Sequence, residues 1–255
     1  MKHILIMTII GFLGLNGVYA QFGQGESEVG IFEHLDDTIP LDLLFVNERS
    51  DTVTLRQIVD KPTVLSFVYF DCPGLCNPLL DGINEVVGKA DLKLGVDYQV
   101  VTISFNYFDT PEKAKDKKKN FSTRISKDNS QYWTYLTTDS ASIEKILNAV
   151  GYRIKKVGVD WVHPSAIILL SPDGKITRYL YGTYFLPFDL KMAVSEASKG
   201  ISRPTINRVL EFCFSYDPQG QKYSLQITKV AATIIIAFAL ILIAIMMIKP
   251  KRKEK

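Results

Sequence analysis

The chain contains 255 residues, of which 47% are hydrophobic and 22% are charged, and its formal net charge at pH 7 is +3. This composition is typical of a globular domain with extra apolar residues, which here collect at the two ends of the chain. The small net charge and the lack of a stripe of basic and aromatic residues argue against a nucleic-acid partner, so we expect none.

The first 20 residues have the pattern of a signal peptide. Lys2 provides a short basic start, residues 4–15 are mainly apolar, and residues 18–20 (Val-Tyr-Ala) are similar to a small-residue cleavage site. An uncleaved N-terminal anchor is the alternative interpretation. We favour cleavage, with a mature chain that begins near Gln21.

The body of the chain, residues 21–213, begins with alternating strands and helices. Residues 50–60 predict a short strand that leads into a turn. Residues 62–70 (PTVLSFVYF) and 98–105 (YQVVTISF) are apolar runs rich in β-branched and aromatic side chains, which is typical of strands buried on both faces. Between them, residues 78–90 have apolar positions at helical spacing and predict an amphipathic helix.

The second half of the body continues this alternation. Asp109 or Thr110 can cap a helix that starts with Pro111 and runs through a lysine-rich stretch. Three further elements are predicted: a capped amphipathic helix in residues 139–154 that ends at Gly151, a β-hairpin in 165–182, and a closing helix in 187–198. This order of elements is that of a thioredoxin-like α/β fold, in which helices flank a central mixed sheet.

The C-terminal end predicts a membrane anchor. Residues 214–228 are predicted to be a polar tether to a transmembrane helix at residues 229–248. The stretch from Val230 to Ile248 is uncharged, and a helix of that length, at about 1.5 Å per residue, just spans a hydrocarbon core of about 30 Å. Residues 249–255 are basic and predict a cytoplasmic tail. We therefore expect a single-pass protein of the cell membrane with its body on the periplasmic side, where disulfides can form.

Cys72 and Cys76 lie between the first buried strand and the helix that follows it, in the stretch FDCPGLCNP. Backbone N–H groups and the helix dipole favour negative charge at such a position, so a thiol there should form its reactive thiolate readily. Cys72, which we place nearer the helix start, is the expected nucleophile. If the segment is helical, positions i and i+4 direct both sulfurs to one side. Two thiolates then favour Cu(I), zinc or an iron–sulfur cluster.

The cysteine pair has three possible roles: a structural disulfide, a redox couple, or two ligands of a metal site. Its spacing differs from the C-x-x-C of thioredoxin-type redox motifs, and the sequence offers no second cysteine motif for a four-ligand zinc site. A peroxidase would need a single low-pKa cysteine with supporting donors, which this motif supports poorly. His163, directly before an apolar strand, is a candidate third ligand or a hydrogen-bonded loop histidine. The other histidines, His3 and His34, lie in the predicted signal peptide and in the N-terminal segment.

Four stretches together resemble the Sco/SenC family of membrane-tethered, thioredoxin-like copper-binding proteins: YFDCPGLCNPLL, VVTISFNYFDTPEKA, DWVHPSAIILLSPDGKITRYLYG and LEFCFSYDP. The resemblance covers residues 28–228. It implies that Cys72, Cys76 and His163 bind copper, as Cu(I) through these three ligands or as Cu(II) with a further one. It also implies a role in building the binuclear copper centre of cytochrome c oxidase subunit II.

Two activities follow from this resemblance. The first is a metallochaperone that donates copper to cytochrome c oxidase subunit II or a similar copper client. The alternative is a thiol–disulfide oxidoreductase that reduces the copper-ligand cysteines of the client through Cys72 and Cys76, which would make the protein an enzyme. A thiol reductant for the cysteine pair is an expected partner. The metallochaperone needs both thiols reduced before copper can bind, because bound copper and a disulfide between the two cysteines exclude each other. We favour the metallochaperone.

The sequence departs from the family pattern at two positions. Asn77 follows the second cysteine where many relatives have proline, and Asn106 begins the stretch where many relatives have Asp-Pro, so we assign no carboxylate role there. Cys213 is interpreted as a small buried residue rather than as a disulfide partner. The lysines between positions 113 and 119 are interpreted as a solvated helix face rather than as a docking patch for an acidic partner.

Overall fold

The computed structural model describes residues 29–122, 125, 127–158 and 160–204, together with 214–217, 222–225, 235 and 238–242. The predicted signal peptide, Cys213 and most of the predicted transmembrane segment lie outside these residues. No helix within the described part of the chain is both long and apolar enough to cross a membrane.

The secondary structure alternates between strands and helices along the body. The strands are β1 (Gly30–Ile31), β2 (Leu44–Asn47), β3 (Thr52–Thr54), β4 (Thr63–Val68), β5 (Gln99–Ser104), β6 (Trp133–Thr137), β7 (Tyr152–Arg153), β8 (Lys155–Val157), β9 (Asp160–Val162), β10 (Ala166–Leu170), β11 (Ile176–Tyr181), β12 (Phe214–Asp217) and β13 (Lys222–Leu225). The helices are α1 (Leu55–Ile58), α2 (Cys76–Lys89), α3 (Pro111–Phe121), α4 (Lys127–Ser130), α5 (Ser140–Ala149) and α6 (Pro187–Ala197).

A seven-stranded mixed sheet in the order β11-β10-β4-β5-β6-β2-β3 forms the centre of the fold. The neighbours β4, β5 and β6 are parallel, whereas the outer strands pair antiparallel at both edges. Helix α3 packs against β6 and β2, α6 packs against β10 and β11, and α2 contacts both α3 and α6. The predicted mixed α/β architecture, with helices that flank a central mixed sheet, is therefore confirmed.

The two central strands have the pattern that the sequence predicted. Every residue of β4 and of β5 is buried, as expected for parallel strands that are covered on both faces. Phe67 of β4 and Ile103 of β5 are completely buried, and so are Leu79, Leu80 and Ile83 on α2. Each such side chain contributes about 1.5–3 kcal/mol through removal of apolar surface from water, so this shared core fixes α2 against the sheet.

The helix ends agree with the predicted capping residues. The hydroxyl of Thr110 accepts a hydrogen bond from the backbone N–H of Lys113, and Pro111 is the first residue of α3. The carboxylate of Asp139 accepts from the N–H of Ser142 at 2.9 Å and caps α5. Gly151 follows α5 with a φ of 62°, a conformation that favours glycine.

The structure differs from the sequence interpretation at the cysteines and beyond the body. Helix α2 runs from Cys76 to Lys89, close to the predicted residues 78–90, and Cys72 lies in the turn before it. The i, i+4 argument required a helical segment from Cys72 onward, and this condition is not met. Pro73 and Gly74 have low helix propensity, which explains why the helix does not include Cys72. The segment predicted as a polar tether contains a hairpin, because β12 pairs antiparallel with β13.

Candidate metal centre

The topology of the sheet brings the two cysteines and His163 to one edge. Strands β4 and β5 are parallel, so their last residues, Val68 and Ser104, pair with each other at this edge. Strand β10 is antiparallel to β4, so its first residue, Ala166, lies at the same edge. The turn after β4 carries Cys72, and the segment before β10 carries His163, so both extend from the edge where the three strands meet.

Cys72, Cys76 and His163 form one compact group. Their ligand atoms all lie within 4.8 Å of one another, and Nε2 of His163 is 3.4 Å from Sγ of Cys76. All three residues are buried, and both thiols are free. His34 is elsewhere, with its Nδ1 3.1 Å from the carbonyl oxygen of Ala149. Separations of this size allow two sulfurs and one imidazole to reach a single ion with bonds of about 2.0–2.3 Å, and this donor set is soft.

The ring of His163 is oriented by its backbone neighbour and by a buried phenol. Nδ1 lies 2.8 Å from the carbonyl oxygen of Pro164 and donates its proton there, which leaves the lone pair of Nε2 directed at Cys76. The hydroxyl of Tyr152 donates to the same carbonyl and lies 3.4 Å from Nδ1. The ring centroid of Phe105 is 5.1 Å from that of the imidazole. These contacts fix the tautomer and ring orientation that a metal ligand needs.

The two thiols have opposite electrostatic environments. Hydrogen bonding from the Cys76 side chain lowers the pKa of Cys72 far below its usual value, and the backbone of Gly74 contributes in the same direction. Burial raises the pKa of Cys76, and the neighbouring Cys72 raises it further. Cys72 is therefore the thiolate of the pair. The position at the helix start predicted this role for the wrong reason, because the helix begins at Cys76.

A buried carboxylate that the sequence analysis did not assign to the site lies beneath the cysteine loop, which we define as residues 70–77. Asp109 has a fully buried side chain and accepts hydrogen bonds from the N–H of Phe70 at 2.7 Å and from the hydroxyl of Ser104 at 2.6 Å. The Asn106 amide donates to its other oxygen at 3.4 Å. The actual cap of α3 is Thr110, which leaves Asp109 available to hold the loop.

Three lysines of helix α3 are engaged in intramolecular bonds. Lys113 pairs with Asp71, Lys117 donates to the carbonyl oxygen of Phe70 and to Oδ1 of Asn77, and Lys118 pairs with Glu48 at 2.6 Å. The interpretation as a solvated face is therefore wrong for Lys117 and Lys118, whereas the side chain of Lys113 is 42% exposed and Lys115 and Lys119 are exposed. The spacing of four between the first two is the signal that could have indicated a shared helix face toward the loop.

The β8–β9 hairpin contacts two aromatic residues next to the site, Phe105 and Tyr69. The ring centroids of Trp161 and Phe105 are 6.0 Å apart. The hydroxyl of Tyr69 donates a hydrogen bond to a carboxylate oxygen of Asp160 at 3.3 Å. The backbone N–H of Tyr69 also donates to Sγ of Cys76 at 3.4 Å. Tyr69 thus connects the hairpin to the cysteine pair.

Comparison with known proteins identifies the family. Residues 36–187 match the sequence profile of SCO1/SenC. A SCO1 protein homolog from Bacillus subtilis (strain 168) is 28% identical over 152 residues, which cover 57% of this chain and 75% of the relative.

Solved structures have the same fold. A putative electron transfer protein from Aquifex aeolicus VF5 is similar with a TM-score of 0.59 and 26% identity, over 65% of this chain and 95% of the other. BsSco, described with a disulfide switch, has a TM-score of 0.53 and 24% identity over 66% and 97%. Arabidopsis thaliana ScoI with copper bound has a TM-score of 0.51 and 20% identity over 68% and 99%. The profile match spans more than half of the chain, and the chain therefore belongs to the SCO1/SenC family.

Proposed function

We propose that this protein is a copper metallochaperone. It binds one copper ion through Cys72, Cys76 and His163 and delivers it to the binuclear copper site of cytochrome c oxidase subunit II. The observation that carries the proposal is the grouping of the three ligand atoms within 4.8 Å. Two thiolates and one imidazole favour Cu(I). Family membership supports the same cargo, since the ScoI relative was solved with copper bound and BsSco is described as a member of a family of cytochrome c oxidase assembly proteins.

The chain prepares the site for this cargo in two ways. The lowered pKa of Cys72 favours its thiolate, so Cys76 is the thiol that must lose a proton when copper binds. The imidazole of His163 is held with Nε2 toward the sulfurs, so little ordering is left for the binding step. Loading requires both thiols to be reduced, and a thiol reductant is therefore a second partner.

Anaerobic titration of the purified, reduced protein with Cu(I), in competition with a chromophoric chelator, tests this function. One copper per chain is expected, with binding lost in Cys72→Ser and Cys76→Ser and weakened in His163→Ala. His34→Ala is the matched control, because His34 lies outside the group of ligand atoms. If Cys72→Ser or His163→Ala binds copper as the unsubstituted protein does, the assigned site is wrong.

A second candidate function is thiol–disulfide exchange, which the unequal pKa values of the two thiols favour. The thiolate of Cys72 would attack a client disulfide, form a mixed disulfide and release one client thiolate. Cys76, once deprotonated, would then attack the mixed disulfide, which yields a Cys72–Cys76 disulfide and the second client thiol. A His163→Ala variant that reduces its client at the full rate would favour this function over metal delivery.

We further propose that residues 229–248 anchor the domain at the periplasmic face, with residues 249–255 in the cytoplasm and residues 1–20 removed as a signal peptide. The uncharged stretch and the basic tail support this topology. Protease added to the outside of spheroplasts should digest the body and spare an epitope at the C-terminus. N-terminal sequencing should give Gln21, and digestion of the epitope in intact spheroplasts would contradict the orientation.

A further inference from the structure

Lys117 connects the two ends of the cysteine loop. Its Nζ, on helix α3, donates to the carbonyl oxygen of Phe70 at 2.6 Å and to Oδ1 of Asn77 at 2.7 Å. Phe70 precedes Cys72 by two residues, and Asn77 directly follows Cys76. One ammonium group therefore bridges the residues on both sides of the cysteine pair.

The charge of Lys117 is half-buried and has neutral partners. Both of its hydrogen-bond acceptors are amide oxygens, and the ring centroid of Phe121 lies 5.3 Å from its Nζ. In the part of the chain that the structure describes, no carboxylate forms an ion pair with Lys117, whereas Lys113 on the same helix pairs with Asp71. Cys76 directly precedes Asn77, so a thiolate there is a negative group that can balance this charge. In agreement, the charge of Lys117 lowers the pKa of Cys76, although burial raises that pKa by more.

The oxidation state of copper decides how strongly this charge acts. Two thiolates with Cu(I) carry a net charge of −1, whereas the same ligands with Cu(II) are neutral. A fixed cation beside the sulfurs attracts the anionic complex and has a much weaker effect on the neutral one. The position of Lys117 thus adds a preference for Cu(I) to that of the sulfur ligands.

We propose that Lys117 is a positioning residue that fixes the cysteine loop and biases the site toward Cu(I) over Cu(II). The inference rests on the proposed copper-binding function and extends it to a residue that is not a ligand. It also gives a role to Asn77, whose side-chain oxygen accepts a hydrogen bond from the ammonium, so Asn77 and Lys117 act as a pair.

Four variants of the full chain separate charge from geometry. Lys117→Gln removes the cation, Lys117→Arg retains it, and Asn77→Asp keeps an acceptor for the ammonium but neutralises its charge. Lys119→Gln is the matched control, because Lys119 is exposed on the same helix. Thermal unfolding of each metal-free variant establishes that it is folded, and if Lys117→Gln fails to fold, Lys117→Arg and Asn77→Asp still decide the question.

Cu(I) and Cu(II) affinities are measured separately by competition with chelators specific for each ion. We expect Lys117→Gln and Asn77→Asp to lose about 10- to 100-fold in Cu(I) affinity, the range found for residues that position metal ligands, and to lose less for Cu(II). Lys117→Arg should stay close to the unsubstituted protein in its preference for Cu(I). Lys119→Gln should be unchanged for both ions.

A second measurement needs no copper. Metal-free protein is equilibrated with glutathione, so that the Cys72–Cys76 dithiol and one glutathione disulfide exchange with the protein disulfide and two glutathione thiols. Because the cation stabilises the reduced, anionic pair, Lys117→Gln should shift this equilibrium toward the protein disulfide. Equal Cu(I) affinities and equal glutathione equilibria for Lys117→Gln and Lys119→Gln would overturn the inference. The one-copper stoichiometry of the unsubstituted protein would then still support the proposed function. Failure of the unsubstituted protein to bind Cu(I) would instead refute the function, and the inference with it.

Discussion

Replacement of Asp109 by alanine tests whether the cysteine loop is held by the buried carboxylate. Asp109 lies at the end of the loop between β5 and α3, and its side chain is fully buried. Its Oδ2 accepts hydrogen bonds both from the N–H of Phe70 at 2.7 Å and from the hydroxyl of Ser104 at 2.6 Å. The alanine variant removes this acceptor and leaves the N–H of Phe70 buried without this partner.

The magnitude follows from the environment of each bond. A hydrogen bond to a charged group contributes about 1.5–3 kcal/mol, and a buried donor left unsatisfied costs about 1–3 kcal/mol. The ion pair with Lys113 is long, at 3.7 Å, and that lysine is 42% exposed, so it adds only about 0–1 kcal/mol. The two short hydrogen bonds therefore dominate. We expect Asp109→Ala to lower the free energy of unfolding by about 3–5 kcal/mol, as for other broken buried charge networks.

Equilibrium unfolding in urea, under reducing and metal-free conditions, measures this loss. Asp71→Ala is the matched control, because Asp71 pairs with the same Lys113 but is 64% exposed, and its loss should stay below about 1 kcal/mol. Asp109→Asn, which keeps one acceptor oxygen, should fall between the two. An Asp109→Ala variant as stable as Asp71→Ala would refute the assigned role of Asp109, because it would show that the buried carboxylate does not hold the cysteine loop.

Three further predictions concern the residues around the site. Tyr152→Phe, which removes the hydroxyl that donates to Pro164, should weaken Cu(I) binding about tenfold in a chelator competition, and unchanged affinity would contradict its orienting role. Gly82→Ala should lower the melting temperature, because a new Cβ would lie 1.9 Å from the carbonyl oxygen of Thr183. The cost of this clash, about 1–3 kcal/mol, exceeds the gain of about 1 kcal/mol in helix propensity. A rise in the melting temperature would refute this prediction. The pKa of Cys72 is lower in the folded protein than in an unfolded chain, so ionisation of this thiol stabilises the reduced, folded state. This contribution to the free energy of unfolding is complete above the ordinary thiol pKa of about 8.5, and it is lost as pH falls through the lower pKa of the folded protein. Thiolate absorbance near 240 nm should therefore persist in the folded protein well below pH 8.5, and a midpoint near 8.5 would contradict the assignment.

The parts of the structure that depend on local pattern could be predicted from the sequence. The continuous apolar runs of β4 and β5 indicated buried central strands, and the capping residues Thr110 and Asp139 marked the starts of their helices. For the strands and caps the signal lies within a few consecutive residues. Residue types and positions at strand ends indicated Cys72 and Cys76 as reactive thiols and His163 as a candidate third ligand, and the resemblance to the Sco/SenC family implied that the three bind one copper.

The contacts that hold the site together lie far apart along the chain and could not be predicted in this way. Asp109 contacts Phe70 across 39 positions, and Lys117 contacts Asn77 across 40. Such pairs depend on the register of parallel strands and on the direction of the following helix, which no local pattern specifies. The turn at Cys72 could not be predicted either, because the spacing of Cys72 and Cys76 is compatible with a helix as well as with a turn.

The cysteine loop lacks helical hydrogen bonds around Cys72, so its geometry must come from neighbouring segments. Asp109 accepts a hydrogen bond from the backbone N–H of Phe70, and Lys117 donates one to the carbonyl oxygen of the same residue. Both side chains belong to the segment that follows β5. If these contacts position the ligands, their loss must weaken copper binding as well as folding. The stabilisation of the folded state by a bound ion increases with the logarithm of its affinity, so weaker binding gives a smaller stabilisation. The rise in melting temperature caused by saturating Cu(I) should then be smaller in Asp109→Ala than in Asp71→Ala. An equal rise in the two variants would mean that Asp109 stabilises the fold without shaping the donor geometry.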